Sequence, residues 1–192
     1  MAWYCYYLNA PQHTRLYSWC VILLLGFEII YIIYRAANGQ LSHFNTSSSF
    51  ASTMYALMGL AATVVTLWTA YLGVIFFQKD FPELPIHYVW AIRFGIILFV
   101  IFSLEGFLMG SRMAHSIGGP DGGPGIPILN WNKKIGDARV AHFFRMHALQ
   151  LLPLVSYYVF KNTKSVIVFA IAYGFLSVVL LIQAIGGKPF VK

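Results

Sequence analysis

"ARVAHFFRMHALQLLPLVSYYVF", residues 138–160, sets how many times this chain crosses a membrane. Its second half is apolar, but its first carries Arg139, His142, Arg145 and His147. At about 100° per residue, Arg139, His142, Met146, His147, Gln150 and Pro153 share one polar arc of the helix. A spanning helix with such a face must turn it toward other protein groups, because lipid offers charged and hydrogen-bonding groups no partner.

The rest of the chain makes a membrane reading natural. Of 192 residues, 59% are hydrophobic and only 10% charged, and the mean hydropathy is +0.69. Soluble domains carry roughly a quarter charged residues. A spanning helix needs about 20 apolar residues, so the length allows roughly five or six spans and no separate soluble domain. Besides 138–160, four stretches qualify: about 17–36, 50–77, 88–113 and 165–186. The expected fold is therefore all-α, a polytopic bundle of five transmembrane helices forming one domain over 1–192. The opening "MAWYCYYLNAPQHTR" lacks the basic, apolar and small-residue order of a signal peptide; its aromatics suit a membrane interface.

Five spans put the two termini on opposite faces. "QKDFPELPIH" and "KNTK" then lie on the first side, while "NGQLSHFNTSSS", the loop 114–137 and "GKPFVK" lie on the second. His43, His115, His142 and His147 all fall on or near the second side. With Arg112, Arg139 and Arg145 set aside as members of a buried site, the remaining lysines and arginines divide evenly, so the positive-inside rule assigns no orientation. Cys5 and Cys20 are too few for a disulfide framework.

Glu28 and Glu105 lie within apolar spans, where a carboxylate must be paired, protonated or turned inward. Each has an arginine seven residues on, Arg35 and Arg112, on the same helical face. Both glutamates are expected within reach of Arg35, Arg112, Arg139 or Arg145. In the second span Ser52, Ala56, Gly59, Thr63, Thr66, Ala70 and Gly73 form a small-residue stripe of the kind that packs helices closely. "GGPDGGPGIP" excludes a helix and favours tight turns; it reads as a lid over the helix ends or as an anion cradle. Its continuation "IPILNW" suits the membrane interface, and Asp137 is the expected N-cap of the following helix.

"SHFN", the two intramembrane glutamates, "RMAHSIGGPDGGPG" and "GDARVAHFFRMHALQ" together resemble a group of bacterial five-helix integral membrane proteins, over about residues 28–153. The resemblance implies the fold, a multi-pass location in the bacterial inner membrane, and the grouping of these residues. It carries no reaction.

Three classes of function stay open on the residues. In the first, His43, His115, His142 and His147 ligate a haem or a transition metal ion for membrane redox chemistry. Arg112, Arg139 or Arg145 then pair with propionates, Glu28 and Glu105 support the ligands, and Gln150 orients an imidazole. In the second, the glutamates and histidines form a metal-free proton pathway, or a quinone or lipid site. In the third, the cluster is structural and the chain is an accessory subunit in contact with other membrane subunits. The histidine convergence favours ligation, although no HxxxH, cysteine pair or carboxylate-histidine spacing diagnostic of zinc or di-iron is present. No nucleotide-binding or nucleophile motif occurs. The +7 charge fits membrane-flanking and buried cations rather than nucleic acid.

Overall fold

The computed structural model describes residues 6–191; Trp3, Tyr4 and Cys5, among the N-terminal residues assigned to the interface and the first side, lie outside them. The helices are α1 (Pro11–Ala37), α2 (Ser49–Gln78), α3 (Ile86–Ser103), α4 (Glu105–Arg112), α5 (Ala138–Met146), α6 (Ala148–Tyr158) and α7 (Thr163–Ile185). A two-residue ladder joins β1 (Ser116–Ile117) to β2 (Gly136–Asp137), antiparallel, with Ser116 opposite Asp137. The fold is thus helical with one short β pairing inside the long loop.

Four helical stretches are long and apolar enough to cross a bilayer: Pro11–Ala37, Ser49–Gln78, Ile86–Arg112 and Thr163–Ile185. They expose large apolar side chains such as Ile22, Ile30, Leu60, Leu67, Ile101, Ile171 and Phe175. Lipid, not water, is the solvent in which that exposure costs nothing. The chain is accordingly a multi-pass integral membrane protein. The stretch expected as the fourth span differs from these, because it is divided at His147 into α5 and α6, of 9 and 11 residues.

Contacts group the chain into two compact units, divided between Asp80 and Phe81. In the first, α1 and α2 pack as a hairpin. The Tyr17 and Thr69 hydroxyls share a hydrogen bond of 3.0 Å between the two helices. The connection is tied by Asn45, whose side chain donates to Leu41 O and accepts from the Ser47 amide. Ser48 then caps α2 by accepting from the Ala51 amide, the usual role of serine at a helix start. The small-residue stripe of α2 is only partly a packing face. Gly73 is buried, but Ala56 and Gly59 are exposed, and a Cβ added at Gly59 would meet nothing within 4 Å. The face that does pack carries Ala51, Met58, Ala61, Val65, Thr69, Leu72 and Phe76.

In the second unit α3 lies against α6 and α7, and α5 against α7. Their shared core is Ala91, Ala148, Leu152, Val166, Ala170 and Tyr173. Gly95 permits this approach: a Cβ there would stand 3.0 Å from Ala148 O and 3.4 Å from Leu149 Cα. Pro153 sits inside α6, while Gln183 of α7 donates to Pro189 O and folds the tail back on the helix end.

Candidate functional site

The loop end of the second unit is organised by Asp137, whose side chain is fully buried. As N-cap of α5 it accepts from the Arg139 amide at 3.0 Å, as the sequence led one to expect. It also accepts from the Asn132 amide and from the Arg139 guanidinium, the shortest contact being 2.6 Å. Burial alone would push this carboxyl up. The Arg139 and Asn132 hydrogen bonds outweigh it and hold the group below the usual carboxylate range. Arg139 reaches on to Asn130 O at 2.6 Å, so its role is to tie the loop to the helix start.

Asp121 of the glycine-proline stretch accepts from the amides of His115 and Ser116, and Asn132 links Gly122 O to the Lys134 and Ile135 amides. Gly118, Gly122 and Gly123 have positive φ. The loop's polar side chains are thus spent on its own backbone. The His115 ring lies 3.3 Å from Asp121 and 3.9 Å from Asp137. Burial, followed by the Arg139 charge, lowers its pKa despite the two carboxylates.

Beneath the loop, Glu105 and Arg145 form an ion pair of 2.5 Å, each side chain 2% exposed. Arg145 also donates to Ser177 O on α7 and stands 4.2 Å over the Phe102 ring. Tyr173 donates to Phe144 O beside it. Two helix interruptions flank the pair. At Leu104, between α3 and α4, the Phe107 amide bonds Leu104 O; at His147, between α5 and α6, His147 O accepts from both the Gln150 amide, at 3.0 Å, and the Leu151 amide, at 2.8 Å. The first is an i to i+3 turn, the tighter 3₁₀ geometry; at the second the i to i+4 bonding of an α-helix continues through His147, so α5 runs into α6 with only a local irregularity.

Three atoms of this cluster are buried without a hydrogen-bond partner among the described residues: Glu105 Oε1, Arg145 Nε and His142 Nδ1. His142 sits one turn before Arg145, and its ring edge packs against Gly106, where a Cβ would be 3.9 Å from Cε1. Arg145 is eight residues from the Asp137 cap and Glu105 eight from Met113, at the end of α4. At a rise of 1.5 Å per residue both helices place the pair about 12 Å below the loop.

The expected site is therefore only partly assembled. Glu105 points inward and pairs with Arg145, as anticipated, but not with Arg112, which is exposed. Glu28 does not meet an arginine: its neighbour is His43, at 3.6 Å in the first unit, while Arg35 donates to Leu41 O. His147, expected deep, is exposed; its ring bonds Phe143 O at 2.7 Å and lies on the Phe143 ring. Gln150 is exposed too, and its amide donates to His147 O and Met146 O rather than to an imidazole.

Among the described residues no three His, Cys, Asp or Glu side chains are grouped as metal ligands. The arrangement lends no support to a haem or metal centre at His43, His115, His142 and His147: His43 lies beside Glu28, His115 beside the loop carboxylates, and the His147 ring bonds its own helix. The division of the helix at His147 is the feature that residue spacing did not signal, because no glycine or proline stands there. Comparison of the chain with family models, with curated proteins and with solved structures finds no match.

Proposed function

We propose that the protein is a five-span membrane protein whose second unit carries a metal-free intramembrane site that binds and releases a proton, with Glu105 and His142 as the two carriers and Arg145 as the fixed cation. The observation that supports this is a buried ion pair in which Glu105 Oε1 and Arg145 Nε have no partner, with the unpartnered His142 Nδ1 one helical turn before Arg145. A buried polar group without a partner is costly, and ionisable groups inside a membrane most often mark ion or proton routes. Glu105 uses Oε2 to hold Arg145, leaving Oε1 to accept a proton. His142 Nδ1, on the loop side of the pair, is the second address. Arg145 cannot give up its own proton and keeps the site from collecting a second positive charge cheaply. The 3₁₀ turn at Leu104 lets α4 adjust when the charge changes.

In this reading residues 138–158 cross the bilayer as a broken fifth span: 21 residues at 1.5 Å each give about 31 Å, close to the hydrocarbon thickness. Broken helices with charged groups at the break recur in membrane transport sites. The bacterial inner membrane and kinship with the five-helix group belong to the same proposal, carried by "PDGGPG", "GDARVAHF" and "HALQ".

Nitrogen NMR of histidine-labelled protein in nanodiscs tests the site, with His142→Gln assigning the resonance. If the two groups share a proton, Glu105→Gln displaces the His142 titration. An unchanged His142 profile in Glu105→Gln would sink the proposal.

A further inference from the structure

We infer that the hairpin tip Pro127-Ile128-Leu129 is a membrane anchor that dips into the interface of a bilayer rich in anionic lipid. The chain from Pro124 to Lys133 is a built hairpin. Gly125 and Asn132 form a bridge, and the Ile126 amide donates to Trp131 O, the Asn130 amide to Ile126 O and the Lys133 amide to Pro124 O. The base is fixed: Trp131 is buried at 6% exposure with its ring 5.5 Å from Phe143 and 5.8 Å from Phe190, and Arg139 holds Asn130 O. The tip is the opposite. Ile128 is 102% exposed and Leu129 41%, and Ile128 has φ +68°, a conformation that β-branched residues rarely adopt. The fold therefore presents an isoleucine outward at a turn where asparagine or glycine would be easier.

A rigid, outward apolar tip needs an apolar environment, and charge indicates which one. Lys133 and Lys134 are exposed at the base of the hairpin, and among the described residues neither is ion-paired with a carboxylate. Basic residues beside an inserted apolar tip are the pattern that anionic lipid surfaces attract. The loop springs from the ends of α4 and α5, so a bilayer interface is within its reach. This inference is independent of the proton site.

Nitroxide labelling tests it. Ile128→Cys is made in the full chain with Cys5 and Cys20 replaced by alanine, and Leu129→Cys serves as a second probe. Pro120→Cys, also exposed but outside the hairpin, reports the water-facing part of the loop. In nanodiscs containing phosphatidylglycerol the labels at 128 and 129 should collide with oxygen more than with a nickel chelate, and the label at 120 the reverse. Lys133→Gln/Lys134→Gln, or nanodiscs of phosphatidylcholine alone, should shift the 128 label several-fold toward nickel accessibility. The inference is overturned if the 128 and 129 labels match 120 in both lipids, which puts the tip in water. It is equally overturned if they are shielded from both reagents, which puts a protein surface over the tip, or if lipid charge makes no difference.

Discussion

Replacing Arg145 by methionine should be among the most damaging single changes in the second unit. The guanidinium meets Glu105 Oε2 at 2.5 Å, Ser177 O at 2.8 Å and the Phe102 face at 4.2 Å. Glu105 Oε1 already lacks a partner, so Arg145→Met leaves a 2%-exposed carboxylate with none at all. Removing one member of a buried pair costs about 3–5 kcal/mol, whereas replacing both by apolar groups of similar volume is close to neutral or stabilising. The double variant Glu105→Leu/Arg145→Met should therefore recover most of the loss, giving a coupling of roughly 3 kcal/mol in the double-mutant cycle. Steric-trap unfolding in bicelles measures both quantities. Arg145→Lys should fall between, since ammonium retains the charge but not the planar contact with Phe102 or the forked donation to Glu105 and Ser177. The reasoning is refuted if Arg145→Met costs less than about 1 kcal/mol, or if the double variant loses the sum of the two single losses.

Other consequences concern the loop. Asp137→Asn removes the charge that holds Arg139 and should cost about 2–3 kcal/mol, seen as faster proteolysis between residues 118 and 130. Because the folded pKa of Asp137 is lowered, its contribution is complete above the unfolded value of about 3.9 and is lost as pH falls through the folded value; amide exchange of the loop should accelerate only in strong acid. His115 also has a lowered folded pKa, so the unfolded chain takes up the proton first, and stability should fall as pH drops below about 6.5. His115→Gln should flatten that slope, as thermal unfolding against pH would reveal. Gly136→Ala drives a Cβ into Ala184 O of α7 and should abolish or severely weaken loop docking, checked by trypsin sensitivity. Ile128→Asn relieves the positive φ and should stabilise the hairpin in detergent by about 1 kcal/mol, measurable by amide exchange at residues 126–131.

What the sequence made legible depends on how far each feature is local. Apolar runs mark four long helices because spanning length is a property of consecutive residues. The Asp137 cap was equally readable, since it concerns one side chain and the amide two residues on. The charge partners were not. Glu105 and Arg112 share a face, but seven residues put them about 10.5 Å apart along the axis, and a side chain within reach on a neighbouring helix wins. Arg145 is that side chain for Glu105, while Glu28 is met by His43 from the connection between α1 and α2. Pro153, the visible breaker, is accommodated inside α6, while the interruption falls where propensity gives no warning. His142 was singled out in sequence as a ligand among four histidines; the structure separates it from the other three by a buried, unused ring nitrogen.

The most direct test of the proton site is an infrared difference spectrum of the protein in lipid, recorded across a pH step, for wild type and Glu105→Gln. The account predicts a protonated-carboxyl stretch that appears in the wild type, is absent in Glu105→Gln and shifts in frequency in His142→Gln. A wild-type spectrum with no such band over the range in which the protein stays folded, or a band that survives Glu105→Gln, would contradict it.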